Sequence, residues 1–290
     1  MKGTLLDISG KLDAEVVDAF SCISEVAAHE GIDFLVVGAA ARDYLLELAC
    51  GVRISRATSD VDVAVHVGSW GEYERLATEL QSRARFSRAK TAPHRMLTPG
   101  ALSIDLIPFG PIAGAREEIA WPPQGDWILN VQGFEAALAH SLQVLIQKEP
   151  PLIVRVASLP SLAVMKLISW DSNPARGKDA FDLYMIMHHY LDTPNIERLS
   201  GDAADLVFEP VSPLEEIGVQ MLGRDMAAIC SRGTGAKLEE ILRREQSDAD
   251  TSPLAAALTS AAGASTALDE MLHLLRLLKR GFDETMIKKA

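Results

Sequence analysis

Long apolar runs, positive charge and cysteine are what this chain has least of. No stretch approaches the roughly 18 uninterrupted apolar residues that a membrane-spanning helix needs, so no transmembrane segment and no membrane partner are expected. The opening MKGTLLDISGKLDAEVVDAF carries acids where a secretory leader would have its apolar centre. The three cysteines, Cys22, Cys50 and Cys230, are odd in number and lack C-x-x-C spacing. They read as free thiols in a reducing, cytoplasmic setting. Lys and Arg number 28 against 40 Asp and Glu, a formal charge of -12. Such a balance disfavours a protein that wraps extended nucleic acid. Basic density rises only near Arg53 and Arg56 and across Arg83, Arg85, Arg88 and Lys90, and the second cluster reads as a solvated helix end.

What is present is a globular composition, 48% hydrophobic and 23% charged over 290 residues, enough for one large domain or two ordinary ones. Residues 12–30 space Val16, Val17, Phe20, Ile23 and Val26 as an amphipathic helix. DFLVVG (33–38) reads as a buried strand ending in Gly38, AAARDYLLELA as a helix, and ATSDVDVAVHV (57–67) as a strand after a polar loop. Ser69 with Glu72 three residues on predicts a capping box for the helix 69–84. ALSIDLIPFG (101–110), SLQVLIQ and LIVRVAS complete the strands, the last two joined by a tight turn. From Ser158 onward every segment has helical period, with QSDADTSP (246–253) as a loop. The expected architecture is an α/β (α+β) lobe with a mixed sheet over residues 1–157, then an all-helical lobe over 158–290 that closes a cleft.

In 57–67, Val61, Val63, Val65 and Val67 alternate with Asp60, Asp62, Ala64 and His66. A strand alternates faces, so the two aspartates share one face, and like charges that close call for something positive between them. A lone D-x-D is weak: Asp248 and Asp250 form a second one in a polar loop. Asp105 is a single charge in the otherwise apolar run 101–110. If its strand neighbours that of Asp60 and Asp62, three carboxylates converge, a donor set for a hard cation such as Mg²⁺ or Mn²⁺. The alternative is that Asp60 caps a turn and Asp105 pairs with an arginine. Gly38, where a strand runs into a helix, could offer backbone N–H groups to an anion.

The order strand–VGAAARD–helix–TSDVD–strand–helix–SIDLI resembles the polymerase-β-type nucleotidyltransferase superfamily. The segment SLPSLAVMKLISWDSNPARGKDAFDLYMIM is similar to the L-x-x-x-K-L…R-x-K-D-x-x-D-L segment of AbiEii-like nucleotidyltransferases, many of them toxins of type IV toxin–antitoxin systems. The likeness covers roughly residues 30–190. It implies that Gly38, Ala39 and Ser59 hold the triphosphate of an NTP donor, and that Asp60, Asp62 and Asp105 bind metal. It further implies that Asp105 helps deprotonate the acceptor and that Lys166 neutralises the triphosphate. Lys178 and Asp182 would both be nucleotide-binding, and, four residues apart on one helix, they could pair with each other. For Lys166 the plain alternative is a snorkelling side chain on an amphipathic helix. For Arg176, Lys178 and Asp179 it is helix-start charge. The family's second glycine is Ala39 here. ARDYLLE also resembles the VRDLLLG turn of tRNA-terminus-adding enzymes.

The resemblance implies transfer of a nucleoside monophosphate from an NTP to a hydroxyl acceptor: a tRNA end, a protein or a small molecule. An antitoxin protein would be a further partner. The rival readings are a non-catalytic nucleotide- or partner-binding protein on the same fold, and a hydrolase using the same carboxylates.

Overall fold

The computed structural model describes residues 5–54, 60–84, 86–90, 92–122, 125, 128–208, 213–246, 252–263 and 266–289. Its contacts divide the chain into two compact units, Met1–Ser158 and Leu159–Ala290.

The first unit is built on an eight-stranded mixed sheet. In chain order its elements begin with β1 (Leu6–Asp7), α1 (Ala14–Glu30), β2 (Asp33–Val37), α2 (Gly38–Asp43) and β3 (Asp60–His66). Next come α3 (Trp70–Ala84), β4 (Ser87–Arg88), β5 (Arg95–Leu97) and β6 (Ser103–Phe109). The short pair β7 (Glu118–Ala120) and β8 (Ile128–Asn130) forms a separate two-stranded sheet. Then α4 (Phe134–Ala139), β9 (Leu142–Gln147) and β10 (Leu152–Val156) close the unit. The order across the main sheet is β1-β9-β10-β2-β3-β6-β5-β4.

Helix α1 buries Ala19, Phe20, Ile23, Val26 and Ala27 on one stripe, and ends at Gly31, whose left-handed φ of 68° lets its N–H reach the Ala27 and Ala28 carbonyls. In β3 the centre is covered on both faces: Val63, Ala64 and Val65 are all fully buried. The predicted helix AAARDYLLELA starts as α2 and loosens into a π-helical turn over Tyr44–Ala49. At the start of α3 the Ser69 hydroxyl accepts from the Glu72 N–H at 3.3 Å, but the Glu72 carboxylate takes the Gly68 N–H at 2.7 Å instead of that of Ser69. The box therefore closes one residue earlier than expected.

The second unit is helical: α5 (Leu159–Ser172), α6 (Gly177–His188), α7 (Leu214–Ile229), α8 (Arg232–Glu245), α9 (Pro253–Ala262) and α10 (Leu268–Lys289), with 3₁₀ turns between Tyr190 and Phe208. Among the described residues it contains no strand. Helices α7 and α10 cross with backbones in contact. A Cβ on Gly281 would stand 1.9 Å from the Gln220 carbonyl, and one on Gly223 2.1 Å from that of Leu278. None of the three cysteines is in a disulfide, Cys230 being buried and the others half-buried.

Candidate functional site

Strands β3 and β6 run parallel in seven-residue register, pairing Asp60 with Ser103 and Asp62 with Asp105. Because faces alternate with period two, Asp60, Asp62 and Asp105 lie on one face of the sheet. The neighbouring strand β5 adds Arg95, paired antiparallel with Asp105, to the same face. On the other side β2 pairs Val37 with Asp62, which brings the next residue, Gly38, over the Asp62 carboxylate.

A positive group does sit on this face, Arg95, but it bridges Asp60 and Asp105 rather than the expected pair Asp60 and Asp62. Its Nε donates to Asp105 Oδ1 at 2.7 Å, and its Nη2 donates to Asp105 Oδ2 at 2.9 Å and to Asp60 Oδ2 at 2.8 Å. One guanidinium nitrogen thus serves two carboxylates, the charge-assisted fork that arginine geometry favours. Asp105 pairs with an arginine, as one of the two alternatives held, while it also sits beside Asp62. His94 Nε2 stands 3.6 Å from Asp105 Oδ2, its ring tilted against Trp121 at 5.5 Å. Burial pushes the Asp105 carboxyl up, but the hydrogen bonds and charge of Arg95 and His94 outweigh it and hold the group at about 2. Asp105 is therefore an anion suited to holding a cation and a weak acceptor of protons. Arg95 is itself held above its ordinary value, chiefly by its bonds to Asp105.

Gly38 is required by geometry twice over. Its φ is 68°, and a Cβ there would lie 1.9 Å from Asp62 Oδ2 and 3.1 Å from Asp62 Cβ. The space that the missing side chain leaves is taken by Asp62 itself. Ala39 follows inside α2, half-buried. Ser59, expected at the phosphates, and the second D-x-D, Asp248 and Asp250, lie outside the described residues.

By donor chemistry the residues fit a divalent cation: three carboxylates share one face, and two of them already bind the same positive group. Among the described residues, however, no group of three or more His, Cys, Asp or Glu side chains is drawn together as a ready cage. The Asp60 and Asp105 oxygens turn to Arg95 instead.

Within the second unit, Lys166 on α5 meets Asp179 Oδ1 at 3.1 Å and Asp182 Oδ2 at 2.5 Å, both aspartates being 1% exposed. Asp179 also accepts from Ser169 Oγ at 3.0 Å and pairs with Arg176 at 3.2 Å. Burial would lower the Lys166 ammonium, but the charges of Asp182 and Asp179 hold it above its ordinary value. Lys166 is thus no snorkelling side chain, because its head is the buried end. The expected pairing of Lys178 with Asp182 is not formed: Lys178 faces solvent while Asp182 turns inward to Lys166. Asp179 is more than helix-start charge. Its three-residue spacing from Asp182 puts both on one face of α6, a signal present in the sequence. Arg95 and His94 carried no such signal, since β5 is three residues long and lies in a run without visible period.

Residues 25–258 match the family described as nucleotidyl transferase AbiEii toxin, type IV TA system. No curated protein matches the chain. Among solved structures, ANT(2″)-Ia in complex with adenylyl-2″-tobramycin is 13% identical, with 59% of this chain and 87% of that chain covered and a TM-score of 0.36. A complex of CCA-adding enzyme with CTP is also 13% identical, with 97% of this chain and 84% of that chain covered and a TM-score of 0.29.

Proposed function

Because this chain belongs to the AbiEii nucleotidyltransferase family and is thereby a transferase of the 2.7.7 type, we propose that it moves a nucleoside monophosphate from an NTP to a hydroxyl acceptor at the β3–β6 acidic face, as the toxin of a type IV pair. The observation that carries this reading is the in-register placement of Asp60, Asp62 and Asp105 on adjacent parallel strands, beside the glycine turn at Gly38. In the proposal Asp60, Asp62 and Asp105 hold Mg²⁺ or Mn²⁺, which when bound supplies positive charge to the triphosphate. Gly38, Ala39 and Ser59 are assigned to phosphate contacts. Lys166, kept charged by Asp179 and Asp182, is assigned to charge that builds on the triphosphate, and Asp182 orients it. Lys178, exposed, retains at most a contact with the nucleotide. The bidentate hold of Arg95 makes Asp105 a positioning anion for the cation and leaves it ill suited to take the acceptor's proton.

The charge of -12 favours a protein or small-molecule acceptor over an extended RNA surface. A tRNA end, which needs only a short grip, fits the same site. An antitoxin protein is the expected second partner.

The test is calorimetric titration of each of the four NTPs with Mg²⁺ into wild type and the Asp60→Asn/Asp62→Asn double variant, with labelled-nucleotide transfer in cell extract. Metal-dependent binding of an NTP that the double variant loses supports the reading. Asp62→Asn is expected to abolish transfer with the fold intact. Transfer by that variant at the wild-type rate would sink the mechanism.

A further inference from the structure

Arg95 does not belong to the acids' own strands, yet its guanidinium bridges two of the acids. Its two attachments are unequal. Arg95 grips Asp105, 11% exposed, with two of its nitrogens, whereas it reaches Asp60, 39% exposed, with one. A bidentate, sheltered arm outlasts a single, half-solvated one. The backbone of Arg95 is fixed: it pairs with Asp105 across β5–β6, its N–H reaches the Ala92 carbonyl at 3.0 Å, and its carbonyl takes the Ala89 N–H at 2.9 Å. Movement is therefore confined to the side chain, which at 31% exposure has solvent on one side.

We propose that Arg95 is the resident counter-cation of the acidic face, a positioning residue that keeps Asp105 and yields Asp60 to the incoming divalent cation. The inference rests on the reading of Asp60 and Asp62 as cation ligands. Arg95 holds the two carboxylates in place without metal and sets a threshold that the metal must overcome. A guanidinium carries one charge spread over three nitrogens, so a compact divalent ion displaces it from the singly held Asp60, whereas at the doubly held Asp105 the ion shares the carboxylate with Arg95.

The experiment is calorimetric titration of MnCl₂ alone into the full chain of wild type, Arg95→Gln and Arg95→Lys, with denaturation midpoints recorded beside it. Arg95→Gln is expected to bind Mn²⁺ tighter than wild type by about tenfold, while its metal-free form melts earlier. A purely structural role would lower the melting temperature and leave the affinity equal or weaker. Equal or weaker binding by Arg95→Gln, with wild type still binding, overturns the proposal and leaves the metal reading standing. Absence of Mn²⁺ binding by wild type and both variants overturns the metal reading and the proposal together. If Arg95→Gln does not fold, Arg95→Lys decides. A lysine nitrogen cannot fork across both carboxylates, so tighter binding than wild type is expected, and affinity equal to wild type refutes the proposal.

Discussion

Replacing Gly38 by alanine adds one methyl group at the centre of the acidic face, and its cost can be built from two separable terms. The first is backbone: an alanine at φ 68° sits in the left-handed region, at about 1–2 kcal/mol. The second is steric. The new Cβ would lie 1.9 Å from Asp62 Oδ2 and 2.8 Å from Cγ. Turning the carboxylate away is not sufficient, because Asp62 Cβ remains at 3.1 Å. Overpacking of this kind costs about 1–3 kcal/mol. The protein carries its own control in Gly31, which has the same φ of 68° and no heavy atom within 4 Å of an added Cβ. In urea denaturation at unchanged m-value, Gly31→Ala should lose about 1–2 kcal/mol and Gly38→Ala about 2–5 kcal/mol. The excess should shrink in Gly38→Ala/Asp62→Ala, where the carboxylate is gone and only the Cβ contact at 3.1 Å remains. Equal losses for the two single variants would refute the reasoning. They would mean that the Asp62 carboxylate steps aside at no cost and is not held against the turn.

Two other substitutions probe the second unit. In Gly281→Ala the methyl group would lie 1.9 Å from the Gln220 backbone carbonyl, so α7 and α10 must separate. A loss of about 3 kcal/mol is expected by thermal denaturation, against the gain of about 1 kcal/mol that Gly→Ala brings in an uncrowded helix. A stabilised variant would overturn the close crossing. Lys166→Met strips the ammonium from two aspartates that are each 1% exposed, and should cost about 3–5 kcal/mol in denaturant titration. A loss under about 1 kcal/mol would show the triad to be solvated.

Period-two alternation in β3 and β6 exposed both strands to sequence reading, and the paired register then follows from burial, since a one-residue slip would carry Asp62 or Asp105 to the opposite face. The helices α1, α3, α6, α7 and α10 were legible for the same reason, each writing a 3.6-residue stripe several turns long, whereas α5 is buried nearly all round, with Ser161 to Met165 buried in succession. Strands β1, β4, β5, β7 and β8 were not. With two or three residues each, they are too short for alternation to register, and partners far along the chain create them. Arg95 was hidden with β5, although the need for a cation between the acids was not. The buried triad of the second unit was half visible: Lys166 and Asp182 stood out by resemblance, while Asp179 was masked as ordinary charge at a helix start. Which carboxylate Lys166 or Lys178 would take is decided by how α5 packs on α6, and spacing along α6 alone pointed to the wrong lysine.

The departure at residue 39 bears on phosphate binding alone. Of the two positions in the family's glycine turn, only the first has a backbone that alanine resists and a neighbour that a methyl group would strike. Residue 39 lies within α2, where alanine is the most favourable choice and glycine would cost about 1 kcal/mol. An alanine there firms the start of the short helix whose first residue packs on Asp62. What the second glycine would have supplied is closer approach of a ligand to the backbone, so the substitution exchanges room at the anion for rigidity beneath the acids. On the proposed reading, an NTP at this turn is held less by main-chain contacts and more by charge, which puts the greater demand on the cation proposed at Asp60 and Asp62.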